Sequence, residues 1–199
     1  MVNNLEVENY IKLAEQGDME AQYNLALCFV IGNGVEQDDE KAFYWYEKAG
    51  LQGHAIAQLK VAVCYEEGDG VTKNFEKAFF WYRKSAENGN ADAQNNLAFC
   101  YENGQGVDKC QQKAIYWYTQ SANQGNKEAQ YNLALCYFNG DGVENDFKKA
   151  VYWYTKSAEQ DYYYAQYNLA LCYQRGDGVE KSQEKADYWF EKASQFDIL

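Results

Sequence analysis

The sequence has no proline, one histidine, two methionines and few cations: 18 Lys and Arg stand against 30 Asp and Glu, a formal net charge of −12. Each shortage excludes something. A field of that sign repels a phosphate backbone and so disfavours nucleic acid. It disfavours an anionic membrane surface for the same reason. It suits a basic or neutral protein partner, although surface acidity also serves solubility alone. No apolar run reaches the roughly 18 residues of a membrane-spanning helix. The opening MVNNLEVENY has neither the basic nor the apolar region of a signal peptide. With one histidine, no C-x-x-C and no G-x-S-x-G, neither a metal site nor a nucleophile–base pair can be assembled. No metal, no cofactor and no enzymatic activity are therefore expected.

What the chain does have is apolar and aromatic matter, 47% and 17% of its residues, which excludes disorder. It also has a period of 36 residues, kept without insertion. Ala21-Gln22 recurs as Ala57-Gln58, Ala93-Gln94, Ala129-Gln130 and Ala165-Gln166. Gly32, Gly34 and Val35 recur as Gly68, Gly70 and Val71, and so on to Gly176, Gly178 and Val179. Trp45, Trp81, Trp117, Trp153 and Trp189 keep the step and are expected in the core. A fixed period in this range means a stacked array rather than one central core, and arrays expose extended surfaces that bind other chains.

Each repeat reads as two helices. In residues 18–53, Ala21, Leu25, Ala26, Cys28 and Phe29 form one helical stripe, which stops at Gly32-Asn33-Gly34. Val35 is placed to plug the turn. Asp38 and its equivalents Asn74, Asp146 and Ser182 are good helix N-caps, and Cys110 is the exception. Ala42, Trp45, Tyr46 and Ala49 make the second stripe, closed by Gly53; Asp161 replaces that glycine once. Helices are expected at 4–15, 19–31, 39–51, 55–67, 75–87, 91–103, 111–123, 127–139, 147–159, 163–175 and 183–196. The expected organisation is a single array over 1–199: a capping helix in 1–17, then repeats 18–53, 54–89, 90–125, 126–161 and 162–197. The column Phe43, Phe79, Ile115 and Val151 ends in Asp187, as an apolar contact to a next repeat should where the array stops. The apolar tail Phe196, Ile198 and Leu199 either folds back as a lid or marks a cut in a longer protein.

The pattern A-x-A-Q-x-N-L-A-x-C-Y-x-x-G-x-G-V, followed by K-A-x-x-W-Y-x-K-S-A-x-x-G, resembles the Sel-1-like repeat, a relative of the tetratricopeptide repeat. The 36-residue period, the G-x-G-V turn and the absence of proline separate it from the 34-residue tetratricopeptide pattern. The resemblance implies an all-α fold, a right-handed α/α superhelical solenoid whose first helices line a concave side. It implies an adaptor rather than an enzyme. Some bacterial relatives carry two bridged cysteines per repeat; here each repeat has one.

That column, Cys28, Cys64, Cys100, Cys136 and Cys172, is poorly placed to bridge: successive helices pack about 8–10 Å apart and a disulfide needs Cα atoms within about 7 Å. Reduced thiols point to the cytoplasm. Cys110, at a helix start, is the candidate reactive thiol. His54 takes another helix start and reads as an exposed capping residue. The Gly-Asp-Gly turns lack the ligand set of a calcium loop. Asn24, Asn96, Asn132 and Asn168 form a mid-helix ladder that either bonds neighbouring helices or grips a peptide backbone; Lys60 breaks it and suits a carboxylate. By analogy with the tetratricopeptide groove, Tyr23, Asn24, Lys60, Asn95, Asn96, Phe99, Tyr131, Asn132, Tyr167 and Asn168 are the expected partner-binding residues. The expected function is an adaptor or scaffold, monomeric, holding a basic or neutral protein or peptide in that groove. A structural spacer or oligomerisation element, or a secreted bacterial effector, is the alternative.

Overall fold

The computed structural model describes residues 4–195. Among them all regular structure is helical: α1 (Asn4–Glu15), α2 (Met19–Ile31), α3 (Asp39–Leu51), α4 (Ala55–Glu67), α5 (Phe75–Glu87), α6 (Ala91–Asn103), α7 (Gln111–Asn123), α8 (Lys127–Asn139), α9 (Phe147–Ala158), α10 (Tyr163–Arg175) and α11 (Gln183–Ser194). The bounds are those expected from sequence except at α9, one residue shorter, and α11, which ends at Ser194 on Gln195, two residues short of the expected 196; the tail reading of Phe196, Ile198 and Leu199 lies outside the described residues. The chain forms two compact units, one ending at Lys109 and one beginning at Cys110. The first holds α1–α6 and the second α7–α11, so the division falls between the two helices of repeat 90–125.

Local chemistry sets the helix ends. Each first helix stops at a left-handed glycine, Gly32, Gly68, Gly104, Gly140 or Gly176, whose N–H returns to the carbonyl of the column cysteine four residues back. Each second helix that starts on Asp38, Asn74, Asp146 or Ser182 has its cap side chain accepting an N–H three residues on. The cap's own N–H is tied back to the first helix, as from Asn74 to the Tyr65 carbonyl at 2.8 Å. The lysine of the K-A-x-x-W-Y segment then lies over that same ring: Lys77 is 5.0 Å from the Tyr65 centroid, and Lys149 is 5.2 Å from that of Tyr137. Its sequence conspicuousness is thus structural.

In the first unit consecutive helices pack in order from α1 to α6. Val7 and Ala14 of α1 are buried against Ala21, Leu25 and Cys28, with Val35 and Trp45 packed alongside, so α1 covers the first repeat as a cap. The ring of Phe43 meets Tyr65 edge-on at 5.2 Å and Phe79 meets Tyr101 at 5.3 Å, each a contact to the next repeat. The second glycine of each G-x-G serves the same junction. A Cβ at Gly70 would overlap the Asp39 carbonyl, and one at Gly106 the Phe75 carbonyl, so glycine lets the turn touch the preceding second helix.

The second unit repeats the logic. Val151, Tyr154, Ala158, Leu169 and Cys172 are buried together, with Trp153, Tyr173, Val179 and Trp189 around them. Asp187, at the end of the Phe43 column, is exposed and accepts from the Gln183 amide at 2.7 Å.

The tryptophans depart from expectation. Trp81 is buried, but Trp45, Trp117, Trp153 and Trp189 are half-buried. Each meets, edge-on, the aromatic residue before it: Tyr44, Phe80, Tyr116, Tyr152 and Tyr188, all exposed. Two adjacent large rings on one helix cannot both face the core, because successive residues point about 100° apart.

Candidate functional site

Successive first helices leave a recess between them, and the same recess occurs in both units. In the first unit it is about 180 Å³, lined by Val30 of α2, Tyr46 of α3, Lys60, Val63 and Cys64 of α4, and Asp69. In the second it is about 220 Å³, lined by Phe138 of α8, Tyr154 of α9, Asn168, Leu171 and Cys172 of α10, and Asp177. These six positions correspond at a step of three repeats. The tyrosine–cysteine floor is constant, whereas Val30 against Phe138 and Lys60 against Asn168 change the wall. Arg175 and Asn139 add polar groups to the second recess.

The floor tyrosines are buried, and burial pushes their hydroxyls well above the ordinary phenol range, so they act as neutral donors and acceptors. At the equivalent place between α4 and α6, Glu66 accepts a short hydrogen bond from the Tyr82 hydroxyl. The asparagine ladder meets this tyrosine column. Asn168 donates to the hydroxyls of Tyr154 at 3.4 Å and Tyr131 at 3.5 Å, and Asn96 bonds Tyr82. At Asn96 and Asn168 these bonds are of the helix-bonding kind, one of the two roles open to the ladder.

The expected site residues divide by exposure. Lys60, Phe99 and Tyr167 are exposed; Tyr23, Asn24, Asn96, Tyr131, Asn132 and Asn168 are half-buried. Asn95 is buried, 6% exposed, with its amide toward Asn96, and so presents no surface to a partner. His54 caps α4 as expected, its Nδ1 accepting from the Ala57 N–H at 3.1 Å, but it is buried rather than exposed. The reason is Tyr23, whose ring stacks on the imidazole at 4.5 Å, while Glu20 sits 3.5 Å from Nε2. Cys110 is half-exposed at the start of α7 and makes no cap bond. Burial raises the column thiols, Cys64 to about 11 and Cys100 and Cys172 to about 12.

Sequence reasoning missed the role of the glutamine column. Gln22, Gln58, Gln94, Gln130 and Gln166 each donate to a carbonyl at the end of the preceding second helix, that of Ala14, Gly50, Ala86, Ala122 or Ala158, at 2.9–3.2 Å. A polar residue kept at 36-residue spacing inside an apolar stripe was the available signal. Sequence reasoning also missed the exposed rings beside the tryptophans.

Helix pairs at a 36-residue step, glycine-ended first helices and this amide network define an α-helical repeat array. The Sel1 repeat model matches residues 20–54, 55–90, 91–126, 127–162 and 164–195, so the chain belongs to the Sel1 repeat family. A protective antigen of uropathogenic Escherichia coli strains displaying an SLR fold is 33% identical, with a TM-score of 0.93 over 98% of this chain; the match spans 41% of that antigen's chain. A Sel1 repeat protein from Oxalobacter formigenes is 32% identical, with a TM-score of 0.87 over 97% of this chain and 85% of the other. A Sel1 repeat protein from Klebsiella pneumoniae is 26% identical over 95% of this chain and 92% of the other, with a TM-score of 0.58. No curated protein matches the chain. Sel1 repeats are a non-catalytic scaffold and generally mediate protein–protein interactions. Among the described residues no helix is long and apolar enough to cross a membrane.

Proposed function

We propose that this chain is a non-enzymatic adaptor that holds a protein or peptide partner, basic or neutral in charge, along its first helices. The observation that carries the reading is the recurring recess: an unchanging tyrosine–cysteine floor with walls that differ between Lys60 and Asn168 and between Val30 and Phe138. A fixed floor with changing walls is what a scaffold needs to offer different contacts at each step. Exposed Phe99 and Tyr167 supply aromatic anchors of the kind that dominate interface energies. The net charge of −12 favours such a partner over nucleic acid. The free cysteines fit a reducing cytoplasm, and a monomer is the working state.

The test is capture of partners from cell extract by the wild type and by a Lys60→Ala, Phe99→Ala, Tyr167→Ala variant, with circular dichroism showing both folded. These side chains are exposed, so their loss spares the core. A partner held by the wild type and lost by the variant supports the reading; a partner held equally by both sinks it.

A second reading, self-association, draws on the exposed column Tyr44, Phe80, Tyr116, Tyr152 and Tyr188. Light scattering during size-exclusion chromatography checks it: a dimer that Tyr116→Ser with Tyr152→Ser dissociates would favour association through the second helices.

A further inference from the structure

The start of α10 breaks two local rules that the other repeats keep. Asp161 takes a left-handed φ of 56° where Gly17, Gly53, Gly89 and Gly125 stand elsewhere. Tyr162 replaces the capping residue and makes no cap bond, although Asp18, His54, Asn90 and Asn126 all do so at their helices. Each departure costs stability. Departures of this kind gather where function outweighs local preference.

What the junction gains is a tyrosine cluster. Tyr131, Tyr162 and Tyr164 are in mutual contact, with ring centroids 5.3, 6.0 and 5.6 Å apart. Tyr164 is 56% exposed. The ammonium of Lys127 already lies 6.0 Å from the Tyr162 centroid, so the cluster accommodates a cation within this chain. One carboxylate bears on it. Burial raises the Tyr162 hydroxyl, and the negative charge of Glu128 raises it further.

We propose that the Tyr131–Tyr162–Tyr164 cluster is a docking site for an arginine or lysine side chain of the partner. This rests on the adaptor reading and names the chemistry of one contact within it. Aromatic faces attract a cation through the ring quadrupole, and the neighbouring Glu128 carboxylate adds to that attraction. An apolar anchor would gain nothing from Glu128. Lys127 is the internal competitor for the same rings.

The experiment uses the whole chain and a fluorescein-labelled oligoarginine peptide, with its oligocitrulline twin as the uncharged control, read by fluorescence anisotropy at physiological salt. Tyr164→Ala leaves every charge in place and is expected to weaken oligoarginine binding by roughly three- to ten-fold, with Tyr164→Phe close to wild type. Lys127→Met tightens binding. Tyr162→Asn supplies a cap side chain while removing one ring of the cluster, and is expected to bind oligoarginine more weakly than the wild type. The inference is overturned if Tyr164→Ala binds oligoarginine like the wild type, if the citrulline twin binds as tightly, or if the wild type ignores oligoarginine. A wild-type chain that captures a partner through Phe99 and Lys60 while ignoring oligoarginine overturns this inference and leaves the adaptor reading standing.

Discussion

The side-chain N–H of Gln130 donates to the backbone carbonyl of Ala122, 3.1 Å away and buried. The same amide accepts from Gln160 at 2.8 Å, so one side chain ties the end of a second helix to the loop that follows the next one. The bond ends the helix where four carbonyls lack intrahelical partners. Its repetition at every repeat start makes it a fixed joint.

Replacing Gln130 by Leu keeps the volume but removes donor and acceptor, and is expected to destabilise the protein by about 1–3 kcal/mol. Gln130→Glu is expected to be worse, because it sets a buried carboxylate against the Ala122 carbonyl. Urea unfolding checks both; a Glu variant as stable as wild type would refute the joint.

Two glycines that share a left-handed backbone separate strain from crowding. A Cβ on Gly106 would overlap the Phe75 carbonyl, whereas one on Gly125 would meet nothing within 4 Å. Gly125→Ala is expected to lose about 1 kcal/mol from backbone conformation alone. Gly106→Ala adds a clash with a backbone that cannot withdraw and is expected to lose about 3 kcal/mol or more. Paired chemical denaturation curves measure the difference.

At the start of α7, Cys110 stands where Asn74 and Asp146 cap their helices. Cys110→Asn should supply the missing acceptor and raise stability by about 1 kcal/mol. A thermal melt reads it; an unchanged midpoint would mean that water already satisfies that helix end.

The thiols should react in a defined order. Burial holds the Cys64 thiol at about 11 and those of Cys100 and Cys172 at about 12, while Cys110 is half-exposed beside a helix N-terminus. Iodoacetamide at mild pH is therefore expected to modify Cys110 first, as read by peptide mass mapping.

The same thiols set a pH dependence. In the unfolded chain they ionise near the ordinary value of about 8.5. The folded state therefore holds protons that the unfolded state has released. The stabilisation is complete below about pH 8.5 and is lost as pH rises toward 11–12. Urea midpoints should be flat between neutral pH and about 8.5, then fall.

The sequence by itself determined the elements. Glycine at each first-helix end, a capping side chain before most second helices and a 36-residue step placed nearly every helix bound, because those signals act within a few residues of the backbone they control. Family membership was legible for the same reason. The exposure of side chains was not. His54 read as a surface cap, but Tyr23, from the preceding repeat, covers it. Asn95 read as a groove residue and lies buried. The Asn168 amide could have faced a ligand, and the placement of Tyr131 and Tyr154 turned it toward their hydroxyls. In the tryptophan column the sequence could not say which ring of each adjacent pair turns inward. These outcomes depend on how neighbouring repeats stack, and only tertiary packing brings together side chains some 30 residues apart.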